Sequence, residues 1–270
     1  MGTAIARRLF FPVLCCLLLV LSGCAGKQPK TLPLNPAEEQ EAATLWSGFI
    51  ASKRPAAFDA DFRLGWDILG SKGGMSATLQ VQQPVLLRFA ANDPLGRSLI
   101  LAVADARSFT MADNRTGHVY QGTTHSKFWH SYVPASIAPE DLLPFLGGFL
   151  PAGELEYVRP SQDEENKGFW YQWQDKGAIR HHVLLDRRSG EMQRHLLVDA
   201  QGTAILELFY ADYRRDAKSG ISWPWHLRIS GAAITGTLTI QVVQIYSHTP
   251  QGAAAFRLTP PSHFTVEQVP

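Results

Sequence analysis

The chain reads as mainly β: a half-open antiparallel β-barrel of about 11 to 12 strands covered by short helices. Three observations predict it. From Asp61 onward the apolar period is two. Turns rich in Gly, Pro, Asn and Asp separate the alternating runs, and two stretches near the middle carry apolar residues at helical intervals. So many antiparallel strands must close or curl to manage their edges, and the helices need an apolar surface to bury against. A half-open barrel wrapped over helices meets both demands.

The first segment is a targeting signal. Arg7 and Arg8 precede an almost wholly apolar run from Leu9 to Leu21, followed by the small residues Ser22 and Gly23. That run is about 13 residues long, against roughly 20 for a membrane span, so it is too short to be a permanent anchor. Leu21-Ser22-Gly23-Cys24 resembles the bacterial lipobox, which implies that residues 1–23 are cleaved and that Cys24 carries acyl chains. The alternative is an ordinary signal cleaved after Gly23 or Ala25. The other cysteines, Cys15 and Cys16, lie in the removed segment, so the mature domain is read as disulfide-free. One acyl chain holds a protein marginally, and two or three hold it durably. Ala25, rather than Asp, follows the cysteine, and the resemblance implies the periplasmic face of a Gram-negative outer membrane.

Residues 24–36, with Lys27, Pro29, Lys30, Pro33 and Pro36 and no apolar period, read as a tether, and residues 37–270 as one domain. Without Arg7 and Arg8, the 25 basic residues fall to 23 against 24 acidic ones. This near-neutrality gives no support for nucleic acid as a partner. A chain of this size buries roughly 70 to 75 % of its unfolded surface and needs no metal to fold.

Pro36 opens a predicted helix from Ala37 to about Lys53. Glu38, Glu39 and Glu41 stand near its positive end, and Leu45, Phe49 and Ile50 form its buried stripe. Phe62, Leu64, Trp66 and Ile68 then alternate with polar residues, and Gly70 to Gly74 turns the chain into Met75, Ala77, Leu79 and Val81, a hairpin. Strands follow at Val85–Ala91, Ser98–Ala104, Ser108–Ala112 and His118–Gln121. Short helices are expected in Thr124–Tyr132 and Pro139–Phe149, and strands resume at Glu154, Phe169, Ile179, Glu191, Ala204, Ser222 and Ile234.

Large barrels tend to enclose a cavity, and the inward-facing set here is large and aromatic. Phe62, Leu64, Trp66, Leu79, Leu87, Phe89, Trp173 and Trp225 are the candidate cavity residues. The alternative is that these rings simply fill a core. No nucleophile elbow, phosphate loop or His-Glu-x-x-His motif is present, so the expectation is a protein that is not an enzyme and has no cofactor. His181 and His182 are adjacent in a strand and point to opposite faces, which argues against a shared metal, and Asp163, Glu164 and Glu165 read as solvated loop acids.

One loop stands out. Pro94-Leu95-Gly96 places a large apolar side chain at the tip of a polar turn. Val85 to Gly122, with Asn92-Asp93-Pro94-Leu95-Gly96 and later Phe145-Leu146-Gly147, resembles the LolB family of outer-membrane lipoprotein receptors, which share a half-barrel with the periplasmic carrier LolA. The resemblance extends weakly over about Phe62 to Gln244. It implies a cavity for the acyl chains of cargo lipoproteins, a LolA-like carrier as donor, a monomer, and Leu95 as the residue that helps insert cargo into the outer membrane. Asp93, between Asn92 and Pro94, departs from the family turn. A non-enzymatic envelope scaffold lipoprotein with a filled core is the alternative.

Overall fold

The computed structural model describes residues 28–68, 70–93, 95–150, 158–175, 177–217 and 219–270. The signal peptide, Cys24, Pro94 and the expected strand start at Glu154 lie outside them.

Among the described residues fifteen strands form one open sheet: β1 (Thr31–Leu32), β2 (Ala57–Ile68), β3 (Ser71–Gln82), β4 (Leu86–Asn92), β5 (Ser98–Asp105), β6 (Ser108–Asp113), β7 (His118–Thr123), β8 (Arg159–Asp163), β9 (Gly168–Gln174), β10 (Arg180–Asp186), β11 (Met192–Val198), β12 (Ala204–Arg215), β13 (Ser222–Gly231), β14 (Gly236–Ser247) and β15 (Thr265–Val269). Their spatial order is β1-β8-β9-β10-β11-β12-β13-β14-β2-β3-β4-β5-β6-β7-β15. All described neighbours are antiparallel except β15, which runs parallel to β7. The expected dozen strands is therefore an undercount. The unforeseen edge strands are a two-residue piece flanked by prolines and a short strand reached by a long crossover, neither of which carries a strong local signal.

Helix α1 spans Pro36–Ile50, a turn shorter at its C-terminal end than expected. Asn35 caps it: its side chain accepts from the backbone N–H groups of Ala37 and Glu38, both at 3.0 Å, and Glu38 accepts in return from the Asn35 N–H. Ala42 and Phe49 are buried, and Trp46 stacks on Tyr171 with ring centroids 4.6 Å apart. The Tyr171 hydroxyl donates to the Ala42 carbonyl at 2.8 Å, docking the helix on β9. Helix α2 is Lys127–His130, and α3, Leu142–Gly147, follows a single 3-10 turn at Pro139–Asp141. Gly148 ends α3 with φ 67°, a conformation that favours glycine.

Two apolar clusters result. One packs α1 and Phe145 of α3 against β9 to β13; the other packs α2 and the ends of α3 against β2 to β6 and Trp223. Helix α3 sits at their seam.

Register fixes which turns share an end of the sheet. Asp67 pairs with Lys72, Ser76 with Asn92, Ile100 with Asp113 and Gly236 with Ile68. The β2–β3, β4–β5, β6–β7 and β13–β14 turns therefore lie side by side at one end. The β3–β4, β10–β11 and β12–β13 turns lie at the other.

Candidate functional site

A cavity of about 300 Å³ lies between the concave face of the sheet and the α2–α3 segment. Alternation along the strands supplies its floor: Phe62 and Leu64 from β2, Leu79 from β3, Leu87 and Phe89 from β4, Ile100 from β5 and Met111 from β6. Leu79 stands opposite Phe89 across the β3–β4 ladder, and the Phe62 and Phe89 rings lie 6.2 Å apart. Leu227, Leu238 and Ile240 extend the floor onto β13 and β14. The roof is Phe128, Trp129, Tyr132, Val133, Leu142, Phe145 and Leu146. Among the described residues no charged side chain lines it. Its volume sits at the lower end of the range of about 300–1,000 Å³ typical of small-molecule sites.

Five of the eight candidate cavity residues line this space: Phe62, Leu64, Leu79, Leu87 and Phe89. The three tryptophans do not. Trp66 lies against Gly73, where a Cβ would come within 2.6 Å of its ring, and its indole N–H donates to Ser71. Trp173 belongs to the filled core under α1, stacked on His181 at 4.9 Å. Trp225 carries the Arg214 guanidinium 3.9 Å from its ring centroid. Side-to-side alternation tells which face a tryptophan takes but not whether that stretch of the face is packed or open. The helical roof residues were legible as helix and not as cavity wall.

The floor ends near the Leu95 turn. Leu95 is 79 % exposed, more than any other large apolar residue described. Asp93, the departure from the family turn, organises the loop around it. Its Oδ1 accepts the backbone N–H groups of Leu95 at 2.8 Å and Arg97 at 2.9 Å, and its Oδ2 accepts from Arg97 Nε at 2.6 Å. Those donors, the Arg97 N–H first, hold the Asp93 carboxyl below its ordinary range. Gly96 adopts φ 78° beside it. Tyr132, in the roof yet 60 % exposed, is within electrostatic reach of Asp113 and Arg115 in the β6–β7 turn. Tyr132, an exposed residue of the cavity roof, thus stands toward the end of the sheet that carries Leu95.

A larger, more open groove of about 790 Å³ lies between α1 and the β10–β11 and β12–β13 turns, but Glu41, Lys53, Glu191 and Arg215 line it, a setting unsuited to a hydrocarbon chain. His181 and His182 do face opposite ways. His181 Nδ1 meets His195 Nε2 at 2.9 Å, and its Nε2 lies 3.4 Å from Asp175, a contact that periodicity within β10 could not reveal. Among the described residues no group of three or more His, Cys, Asp or Glu is placed to hold a metal. Asp163 is not a free loop acid: it accepts from the Trp170 indole N–H at 2.9 Å. No described helix is long and apolar enough to cross a membrane.

Comparison with family models and with curated sequences finds no match. Solved structures do match over most of their length. A LolA superfamily protein from Nitrosomonas europaea is 9 % identical, with a TM-score of 0.52 over 80 % of this chain and 97 % of that one. An outer membrane lipoprotein-sorting protein domain from Vibrio parahaemolyticus is 13 % identical, with a TM-score of 0.54 over 82 % of this chain and 97 % of that one. A DUF1329 family protein from Desulfovibrio piger is 10 % identical, with a TM-score of 0.51 over 84 % and 98 %. The open sheet curled over short helices that these residues build is similar in fold to these three structures, the LolA superfamily protein among them.

Proposed function

We propose that this protein is an outer-membrane lipoprotein, anchored through Cys24, that accepts the acyl chains of other lipoproteins from a periplasmic LolA-like carrier and inserts them into the outer membrane. The observation that carries the reading is a predominantly apolar cavity in a sheet whose one end carries Leu95, exposed on a turn pinned by Asp93. The similarity to proteins of the LolA and lipoprotein-sorting type supports a hydrophobic ligand of this class. The transfer is physical. Acyl chains move from a weaker-binding carrier to the cavity and then to the bilayer, driven by differences in affinity, with no covalent step and no cofactor. Leu95 dips into the bilayer interface and eases the last passage.

The test is transfer of a radiolabelled lipoprotein from a purified LolA-type carrier to this protein, and then into vesicles, with Leu95→Glu alongside. Acceptance by both forms, with insertion lost only in the variant, supports the reading. Equal insertion by both removes Leu95 from the mechanism. Acceptance by neither folded form overturns the receptor role in favour of an envelope scaffold.

A further inference from the structure

Four hairpin turns stand side by side at the end of the sheet that carries Leu95, and their charges follow a pattern. The β2–β3 turn carries Asp67 and Lys72, which pair with each other at 3.3 Å. The β4–β5 turn carries Asp93 and Arg97, paired at 2.6 Å. The β6–β7 turn carries Asp113 and Arg115, paired at 2.7 Å. The β13–β14 turn, Gly231 to Gly236, contains no charged residue and exposes Ala232 and Ala233. Each cation in this row therefore has its counter-charge inside its own turn. At the opposite end the pattern is mixed: Asp105 faces Arg107 within the β5–β6 turn, while Arg187 of the β10–β11 turn reaches across to Glu41 of α1. The Asp67–Lys72 pair is exposed and adds little to stability, whereas the shielded Asp93 and Asp113 carboxylates also accept backbone N–H groups of their own turns. All three pairs cancel the charge of the rim formed by these turns.

Resting on the membrane-insertion role of Leu95, we infer that this rim as a whole is a docking edge for the zwitterionic surface of a lipid bilayer. Neighbouring strands stand about 4.8 Å apart, so the three adjacent hairpins β13–β14, β2–β3 and β4–β5 present their tips over a front of roughly 20 Å. Leu95 is the deepest element of that front, and Ala232 and Ala233 lie flat at the headgroup level. A charge near a membrane interface carries a cost that an opposite charge alongside reduces, so a self-paired rim approaches an uncharged surface without a net charge to desolvate. An anionic membrane or an acidic protein would be met by a basic surface, and these turns offer none.

The experiment uses the full protein reconstituted in phosphatidylcholine vesicles whose acyl chains carry nitroxide quenchers. A fluorophore is placed by Leu95→Cys, Ala233→Cys or, as a control at the opposite end, Arg188→Cys. Quenching is expected at 95, more shallowly at 233 and not at 188, unchanged by salt between about 0.05 and 0.5 M, where screening lengths fall several-fold. Lys72→Glu should cut quenching at 233 by about fivefold, and the exchanged pair Asp67→Lys with Lys72→Asp should restore it. Quenching at 95 without 233 overturns the docking edge and leaves the role of Leu95 intact. Quenching at neither position overturns both. Loss of quenching with salt, or equal loss in the exchanged pair, overturns the neutral-rim basis.

Discussion

Asp93 and Leu95 are bound through one short hydrogen bond: the Asp93 carboxylate accepts the Leu95 backbone N–H at 2.8 Å, while the Leu95 side chain itself touches water. The loop is held at its backbone so that its apolar tip can be presented, and the acid that departs from the family turn is the residue that does the holding.

Replacing Asp93 with alanine removes the acceptor for three donors of the turn. Insertion of cargo should fall several-fold while acceptance of acyl chains and the thermal midpoint stay as they are. The two-step transfer measurement reads both. A variant that inserts normally would show that the exposed leucine works without a fixed backbone.

Ile100→Trp places a larger side chain in the cavity floor. A saturating apolar fluorescent probe should bind at least about tenfold more weakly, with an overpacking cost of about 1–3 kcal/mol in stability. Trp173→Phe, outside the cavity, should leave probe binding unaltered. Equal probe binding by all three forms would place the apolar site elsewhere.

Tyr171→Phe deletes the hydroxyl that donates to the Ala42 carbonyl. The cost should be about 1 kcal/mol in denaturant titration, with faster amide exchange in α1 than in β9. Uniform exchange through both elements would mean that α1 is docked by its other contacts, the packing of Trp46 and Phe49 and the Arg187–Glu41 pair among them.

Acid should weaken the fold. Burial lowers the pKa of His182 to about 4, lowers that of His195 well below its ordinary value, and also lowers that of His181 against the opposing pull of Asp175. These rings are neutral in the native state and protonate near pH 6.5 when unfolded. Their contribution is complete above that pH and is lost as pH falls below it; for His182, neutral down to about pH 4, the loss is about 1 kcal/mol one pH unit lower. Urea unfolding measured from about pH 7.5 to about pH 5 should show that slope, and His195→Leu should flatten it. A flat wild-type profile would contradict neutral burial of the three rings.

Much of this was readable from residues alone. Period two located nearly every long strand and put Phe62, Leu79 and Phe89 on one face, because alternation is a property of single strands. Contacts between strands were not readable in that way. His195 joins His181 across the β10–β11 ladder, and β15 joins β7 after a long crossover, so neither shows in a local pattern. The fate of each tryptophan depended on what packs above it. Trp173 lies in the core beneath α1, whereas Phe89 faces open space.

The pairing of β14 with β2 joins residues distant in sequence, Gly65 and Thr239 among them, separated by 174 positions. Hairpins on either side of this seam form from neighbours, but the seam itself must wait for nearly the whole chain, and closing so long a loop is the slow step in such topologies. The cavity straddles it, with Leu64 on one side and Ile240 on the other. An occupant therefore touches both lobes at once. Filling the pocket fastens the zip that was last to close, and a loaded molecule should come apart more slowly than an empty one.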